Sequence, residues 1–418
     1  MVLTNLAHNI DLEWLREAHR LTRKSGAPGI DGRTAEQYAE RLDENLRDLL
    51  NRVRAGRYVA PAVRRVHIPK AAGETRPIGI PTFEDRILQR AVVMILESVY
   101  EQEFLPCSHG FRPGRSAHEA LVSLRKLLME RRGGVILEVD IRKFFDTLVH
   151  KHLREIVAQR VRDKALTRLI GKWLNAGVLE GGVLSHPEGG TPQGGVISPL
   201  LANVYLHEVL DKWFASEVLP RLRGKATLVR YADDFVIVFT NEIDAHRVLE
   251  VLPKRFGRYG LQIHPEKTRL MRFSPLVESH QRGQALTPRG FDFLGFNHRW
   301  ERSRSGCWVV KQQTSKKSLS RAVKAIASWC RLHRHQGLPW QREALIKKLR
   351  GHCAYFGLTG NWISLERFRT QLIRAWRKWR CRTSQRREAA ARRFFAFLNA
   401  NPLPPAVAVR SLYRVANA

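Results

Sequence analysis

The stretch Leu228-Val-Arg-Tyr-Ala-Asp-Asp-Phe-Val-Ile-Val-Phe239 decides the fold of this chain. Two runs rich in β-branched and aromatic residues flank a short Tyr-Ala-Asp-Asp step, which is typical of a β-hairpin with two carboxylates near its tip. Adjacent aspartates between buried strands are costly unless positive charge neutralises them, and a divalent cation can supply that charge. Because Asp also favours turns, an ordinary polar turn is the alternative interpretation of Asp233 and Asp234.

A second acidic strand end lies upstream of this hairpin. In Gly134-Val-Ile-Leu-Glu-Val-Asp-Ile-Arg-Lys-Phe-Phe-Asp-Thr-Leu148 a strand is predicted to run to Asp140, before a turn and a helix. If that strand and the hairpin are neighbours in one sheet, the carboxylate of Asp140 converges with those of Asp233 and Asp234. Three carboxylates can hold two Mg²⁺ about 3.5–4 Å apart, which is the arrangement for in-line phosphoryl displacement.

Composition indicates a folded protein with a nucleic-acid partner. The 418 residues are 44% hydrophobic and carry a net charge of +33, and residues 301–418 hold 26 Lys or Arg against four Asp or Glu. Such a basic chain favours nucleic acid, because each neutralised phosphate releases counterions. A basic membrane-surface protein is the alternative, but no single amphipathic helix with a lipid-facing side stands out.

The sequence gives no sign of a membrane span, a signal peptide or a zinc module. It has no run of 18 apolar residues, and its start lacks a basic and then apolar segment. The five cysteines are widely spaced and form no C-x-x-C pair, which fits a reducing cytoplasm.

Several basic segments predict contacts with phosphates. Residues 63–80 are predicted to form two short strands joined by a polar turn, with Lys70 and Arg76 on or beside them. Arg by a bidentate fork and Lys as a point charge can grip a triphosphate, although a solvated basic hairpin is the alternative. In the Gly- and Pro-rich loop at 104–116, Arg112 and Arg115 are candidates for template phosphates or for local pairing.

The C-terminal part is predicted to be helical from Thr314. Apolar residues at helical spacing indicate three helices, and the third, over 365–379, interleaves Trp with cations. A charge run is often only a solvated face, but interleaved aromatics favour a nucleic-acid surface. The candidate contacts are Arg374, Arg377, Lys378, Arg380 and Arg382.

Taken in order, these segments resemble the reverse transcriptases encoded by group II introns, over nearly the whole chain. One Tyr-x-Asp-Asp is a weak signal, whereas seven blocks in the family's order are specific: 64–81, 109–116, 139–145, 191–199, 231–234, 264–267 and 293–295. Residues 29–32 resemble the family's N-terminal extension. Residues 351–382 resemble its thumb, the maturase region that binds intron RNA.

The resemblance implies an α+β fold, a right-hand polymerase with an antiparallel fingers and palm sheet, helices, and an α-helical thumb. The domains expected from it are an N-terminal extension over 1–62, fingers and palm over 63–300, and a basic, helical thumb over 301–418. The chain ends without the zinc pattern of longer family members. We therefore expect no endonuclease, with insertion at existing nicks, hairpins or single strands.

The resemblance also implies the chemistry and the partners. It implies RNA-directed DNA synthesis with two Mg²⁺ held by Asp140, Asp233 and Asp234, assisted by the main-chain carbonyl of Ile141. Phe145 matches the residue that excludes a ribose 2′-hydroxyl. The full set of expected dNTP contacts is Lys70, Arg76, Phe145, Gln193, Gly194 and Lys267. The expected partners are intron RNA as template, a DNA primer or target and dNTPs, with no membrane and no obligate protein partner. The thumb would hold intron RNA for splicing.

Three other functions remain open at this point. A domesticated, defence-linked or CRISPR-associated reverse transcriptase would have the same chemistry. An RNA-dependent RNA polymerase is disfavoured by the bulky Phe145. An RNA-binding splicing chaperone with a vestigial polymerase site is disfavoured by the presence of all three acids.

Overall fold

The computed structural model describes residues 2–69, 75–185, 194–275, 290–382 and 387–411. Packing divides the chain into two compact units, the first made of Met1–Ala120 and Gly134–Arg272, the second of Leu121–Gly133 and Phe273–Ala418. Residues 273–275 and 290–300, which the sequence assigns to the palm, thus belong to the second unit. The predicted domains 1–62, 63–300 and 301–418 stay a prediction.

The first unit is built from helices around two small sheets. Its helices are α1 Leu12–Leu21, α2 Ala35–Ala39, α3 Leu42–Arg54, α4 Phe83–Tyr100, the start of α5 Ala117–Glu130, α6 Phe144–Thr147, α7 His150–Ala158, α8 Lys164–Leu174, α9 Ser198–Leu206 and α10 Glu242–Gly257. Its strands are β1 Val63–Pro69, β2 Thr75–Ile80, β3 Gly134–Val139, β4 Val178–Glu180, β5 Val183–Ser185, β6 Ala226–Tyr231, β7 Asp234–Phe239 and β8 Arg269–Phe273. The predicted strands around 63–80 and 228–239 and the helices that follow them are confirmed.

The central sheet carries the hairpin from which the sequence analysis began. Its strand order is β6-β7-β3-β8, and β7 pairs antiparallel with both β6 and β3. Five of the six residues of β7 are buried, because this strand lies between two others and α10 packs against it. Continuous burial explains the unbroken apolar run Phe235-Val-Ile-Val-Phe239.

A second sheet, in the order β2-β1-β4-β5, carries the basic hairpin of residues 63–80. A short break separates α7 from α8. The break is at Asp163, whose carboxylate accepts from the backbone N–H groups of Ala165 and Leu166 as a helix N-cap. The same carboxylate accepts from Leu6 and Ala7, so it also anchors the N-terminal segment.

After residues 121–133, which include most of α5, the second unit continues with strands, not helices. It holds β9 Phe291–Phe293, β10 Phe296–Arg302 and β11 Trp308–Thr314, in the sheet order β11-β10-β9. The expectation that residues 301–418 are helical is therefore wrong for residues 301–314. The inward positions of this hairpin include polar residues such as His298 and Gln312, which hide the alternation of a half-buried strand.

The remaining residues of the second unit form a helical bundle. Its helices are α11 Lys316–Leu332, α12 Leu338–Phe356, α13 Trp362–Cys381 and α14 Arg387–Ala400. The three helices predicted from the sequence are confirmed, and α14 is additional. Their core includes Leu345, Leu365 and the fully buried Trp376, whose indole N–H donates to Gln341 at 2.6 Å. No helix within the described parts of the chain is long and apolar enough to cross a membrane.

Candidate active site

The two central aspartates lie at a two-residue hairpin turn. Tyr231 pairs with Asp234 at the end of the β6–β7 ladder, leaving Ala232 and Asp233 at the tip. Ala232 adopts a φ of +55°, as the first turn residue of a tight hairpin of the primed kind does. The turn therefore presents two adjacent carboxylates at one edge of the central sheet.

Asp140 lies at the same edge, as the sequence predicts. Val139, the last residue of β3, pairs with Phe235 of β7, so Asp140 follows the strand beside Asp234. Residues 262–264 run along the segment after β3, where the N–H of His264 donates to the carbonyl of Asp140 at 2.8 Å. This turn brings the Lys267 ammonium to 3.1 Å from Asp140 Oδ2. Three acids and one predicted lysine thus come together from three separate segments.

The acids repel one another and are partly shielded from water. Protein atoms surround Asp234 on most sides although solvent reaches it, and this burial, with the charges of Asp233 and Asp140, raises the pKa of Asp234 to about 7. Burial also raises the pKa of Asp233 above its usual range. Arg76 lowers both pKa values, and Lys267 lowers that of Asp234. Carboxylates that are crowded and partly buried in this way are stabilised by a bound cation, which is the electrostatic condition for a metal site.

A cavity of about 560 Å³ opens beside these acids. It is lined by Asp140, Ile141, Asp233 and Lys267, and by Arg76 from β2 on its other side. The lining also includes the half-buried ring of Phe145, which is packed edge-on against the buried Phe144 at 5.3 Å. The cavity has the volume and the charged lining that a nucleoside triphosphate needs.

The other predicted nucleotide contacts are only partly described. Lys70 and Gln193 lie outside the described residues. Gly194 lies next to β2, the second strand of the basic hairpin, and adopts a φ of +124°. A Cβ there would lie 2.4 Å from the carbonyl oxygen of Gly79 on β2, so only glycine permits this close approach.

A buried arginine that the sequence analysis did not single out holds the hairpin tip. Arg230 on β6 is fully buried and forms a two-point ion pair with the fully buried Asp211. Burial alone would raise the pKa of Asp211, but the charge of Arg230 outweighs it and holds that pKa below its usual range. The same guanidinium donates to Asn203, to Ser108 and to the carbonyl of Ala232, each at 3.0 Å or less. The sequence feature that could have revealed Arg230 is a charged residue inside an otherwise apolar predicted strand.

The loop that follows α4 also packs against the tip of the β6–β7 hairpin. The N–H of His109 donates to the carbonyl of Arg230 at 2.9 Å, and the N–H of Arg230 donates to Cys107 at 2.8 Å. A Cβ on Gly110 would lie 2.4 Å from the nitrogen of Ala232, so glycine is required at this contact. The loop therefore fixes the aspartate turn from outside the sheet.

Of the two arginines predicted in this loop, one faces inward. Arg112 is 8% exposed, pairs with Glu101 at 2.9 Å and donates to the carbonyls of Leu105 and Ser108. This corrects the expectation that Arg112 touches template phosphates, because its guanidinium is engaged in shaping the loop. Arg115 is exposed and stays a candidate contact.

The cations of the C-terminal helices that were predicted to contact nucleic acid differ in their exposure and in their hydrogen bonds. Arg374, Arg377, Lys378 and Arg382 are exposed, and both Lys378 and Arg382 lie over the ring of Trp379, at 5.8 and 5.1 Å. Arg380 instead donates to the carbonyls of Arg334 and Gln336 at 2.9 and 3.4 Å. The internal bonds of Arg380 make it a helix-packing residue of the second unit.

The acids fit divalent cations by chemistry, since carboxylate oxygens are the ligands that Mg²⁺ prefers. Over residues 2–69, 75–185, 194–275, 290–382 and 387–411, no three Asp, Glu, His or Cys side chains are already grouped as ligands of one ion. Lys267 is the cation that contacts Asp140 instead.

Comparison with known proteins agrees with the geometry. The family model described as reverse transcriptase (RNA-dependent DNA polymerase) matches residues 68–298. Protein YkfC of Escherichia coli (strain K12) is 36% identical over 334 residues, covering 70% of this chain and 81% of that protein. Group II intron-encoded protein LtrA of Lactococcus lactis subsp. cremoris is 31% identical over 426 residues, covering 81% of this chain and 67% of that protein.

A plant relative extends the likeness to a protein named for splicing. Nuclear intron maturase 4, mitochondrial, of Arabidopsis thaliana is 30% identical over 128 residues, which are 30% of this chain and 16% of that protein. The sheets and helices described above are those of a right-hand polymerase fold. The chain belongs to the reverse transcriptases and maturases of group II introns, which are RNA-directed DNA polymerases.

Proposed function

We propose that Asp140, Asp233 and Asp234 are the metal ligands of this polymerase and that they hold two Mg²⁺. The observation that carries the proposal is the strand register, which sets Asp140 beside the aspartate turn. Burial and mutual repulsion, which together raise the pKa of Asp234, support the need for a cation at this edge. When bound, Mg²⁺ would make a primer 3′-hydroxyl more acidic and would neutralise charge on the phosphates.

The chain's own residues then bind and orient the nucleotide. The Arg76 guanidinium and the Lys267 ammonium both line the cavity and can pair with the negative charge of a triphosphate. Phe145 supplies an apolar wall where a ribose 2′-hydroxyl would otherwise fit. Lys70, Gln193 and the main-chain carbonyl of Ile141 belong to the proposal by resemblance.

We infer that the nucleic-acid partners are an intron RNA, as template and as splicing substrate, and a DNA primer or target. The exposed cations around Trp379 in the second unit support binding of RNA there, since cations with interleaved aromatics suit a nucleic-acid backbone. All five cysteines lie in described parts of the chain and are free thiols, which fits work in a reducing cytoplasm.

A primer-extension assay on an RNA template tests the metal ligands. We expect Asp233→Ala to abolish dNTP incorporation, because the loss of one ligand weakens the site that carries the charge of the reaction. Glu250→Gln, an exposed acid on α10, is the matched control and should extend primers as the parent does. Equal activity of Asp233→Ala and the parent would reject the proposed ligands and would favour an RNA-binding chaperone.

The RNA partner is tested separately. RNA that copurifies with the chain is sequenced and is then offered as template in the same assay. We expect one structured RNA to be enriched and to be copied more efficiently than unrelated RNA of equal length. Recovery of random cellular RNA with no preference in copying would contradict the intron partner.

A further inference from the structure

The segment 194–197 packs against β2, the strand whose first residues line the nucleotide cavity. Gly194 is pressed against Ile78 and Gly79 of β2, the strand that also carries Arg76. Two residues further on, the N–H groups of Val196 and Ile197 donate to Oε1 of Gln89 on α4, at 2.7 and 3.3 Å. The segment thus has one anchor on the strand and another on a single side-chain amide.

That amide is itself held by a buried carboxylate. Gln89 Nε2 donates to Asp85 Oδ2 at 2.8 Å, one helical turn away. Asp85 Oδ1 accepts from the indole N–H of Trp173 at 2.7 Å and from the hydroxyl of Tyr58. All four side chains are at most 4% exposed. The four side chains form one closed hydrogen-bond network.

The chemistry of this network fixes the orientation of the Gln89 amide. Both oxygens of Asp85 receive donors, so the end of Gln89 that faces Asp85 must be the NH₂ group. The carbonyl end is then forced to face the two N–H groups of Val196 and Ile197. Burying a carboxylate is unfavourable, and an apolar pair would pack a core as well, so the network serves something besides stability.

We propose that Asp85 and Gln89 are positioning residues for the incoming nucleotide. Asp85 sets the orientation of the Gln89 amide, and Gln89 holds segment 194–197 against β2 and thereby shapes the cavity wall next to Arg76. This inference rests on the proposed role of Gly194 as a nucleotide contact. On this proposal α4 controls the affinity for dNTP, although none of its residues lines the cavity.

Exchanging the two functional groups tests the network. In Asp85→Asn an NH₂ group faces the NH₂ of Gln89, which breaks the chain of bonds. In Gln89→Glu two carboxyls face each other, and they repel and break the chain only when they do not share a proton, so the assay is run at alkaline pH. In the double variant Asp85→Asn/Gln89→Glu, the new amide at position 85 donates to one oxygen of the new carboxylate at position 89. The other oxygen of that carboxylate accepts from Val196 and Ile197. Every hydrogen bond between these positions and segment 194–197 is then restored. Only the bond between positions 85 and 89 changes direction, because residue 85 is now its donor.

The expected result is a change in KM that the exchange reverses. In steady-state primer extension each single variant should raise KM for dNTP about tenfold and lower kcat by less than about threefold, and the double variant should return KM to within about threefold of the parent. KM for the template–primer should change in none of them. Gln89→Met, which keeps the side-chain volume, replaces any single variant that fails to fold.

Tyr58→Phe is the matched control for stability. It deletes one donor to Asp85 and lowers the melting temperature, but it leaves the Gln89 amide in place, so KM for dNTP should stay within about twofold of the parent. Single variants with a lowered melting temperature and an unchanged KM would overturn the proposal, as would a double variant that recovers stability without recovering KM. A parent without any polymerase activity would instead reject the proposed function itself.

Discussion

At the scale of single residues, burial decides which charged side chains are free to act. Asp140, Asp233 and Asp234 could be predicted from sequence because acids at the ends of apolar strands have few other uses. Arg112 could not be assigned, because an arginine in a Gly- and Pro-rich loop looks the same in sequence whether it is buried or exposed. Its partner, Glu101, lies 11 residues away. Arg230 was missed because its partners come from α9, the turns after it and a distant loop.

The ring of Phe145 should control the choice of sugar. We expect Phe145→Ala to raise the incorporation of rNTP relative to dNTP by about 10–200-fold, since the discrimination rests on the bulk of one side chain in a shaped pocket. The measurement is the ratio of kcat/KM for rNTP and dNTP in single-nucleotide extension. An unchanged ratio would show that another residue excludes the 2′-hydroxyl.

The buried ion pair below the aspartate turn should be essential for stability. Arg230→Met leaves Asp211 charged and unpaired in the interior, which we expect to lower the free energy of unfolding by about 3–5 kcal/mol. Arg272→Met is the control, because solvent screens the exposed pair of Arg272 with Glu242 and its loss should change stability little. Urea denaturation measures both changes. Similar losses in the two variants would contradict the account of the hairpin tip.

At the scale of elements, strands were predictable where burial follows a simple period. The hairpin β6–β7 and the strand β3 follow such a pattern, whereas β10 and β11 do not. Their buried positions include His298 and Gln312, which sequence patterns assign to the surface. His298 stacks on Phe291 with the ring centroids 4.8 Å apart, and its Nδ1 lies 3.4 Å from the amide nitrogen of Gln312.

His298 should make the second unit sensitive to acid. Burial lowers the pKa of His298 to about 3 in the folded chain, whereas an exposed histidine titrates near 6.5. The unfolded chain therefore takes up a proton below about pH 6.5 that the folded chain refuses, so stability falls as the pH drops from 6.5 toward 3. We expect the melting temperature of His298→Gln to fall less than that of the parent between pH 7.5 and 5. Parallel curves would contradict a neutral, buried His298.

At the scale of the whole molecule, some cationic side chains form bonds within the fold and others are exposed on its surface. The +33 net charge predicts a nucleic-acid partner without identifying the cations that bind it. The structure separates Arg380, which bonds internally, from its exposed neighbours on α13. The limits of the two compact units were also not predictable, because residues 121–133 join the second unit through contacts with distant β11.

The exposed cations of α13 should account for part of the salt dependence of RNA binding. Replacing Arg374, Arg377 and Lys378 with Gln one at a time should reduce the slope of log K against log salt by about 0.7–0.9 for each lost phosphate contact. Arg380→Gln is the control and should leave the slope unchanged. Filter binding at several salt concentrations gives the slopes. If all four variants kept the slope of the parent, this face of α13 would not be part of the RNA interface.

The most direct measurement on the shared metal site is Mn²⁺ binding by electron paramagnetic resonance, with template–primer and dNTP present and a chain-terminated primer. We predict two bound ions per chain in the parent and in Glu250→Gln, and affinity weakened at least about tenfold in Asp140→Asn and in Asp234→Asn, because ligands from two strands hold the same ions. Parent-like binding by Asp140→Asn would contradict the account, since the strand end and the hairpin would then not share a site.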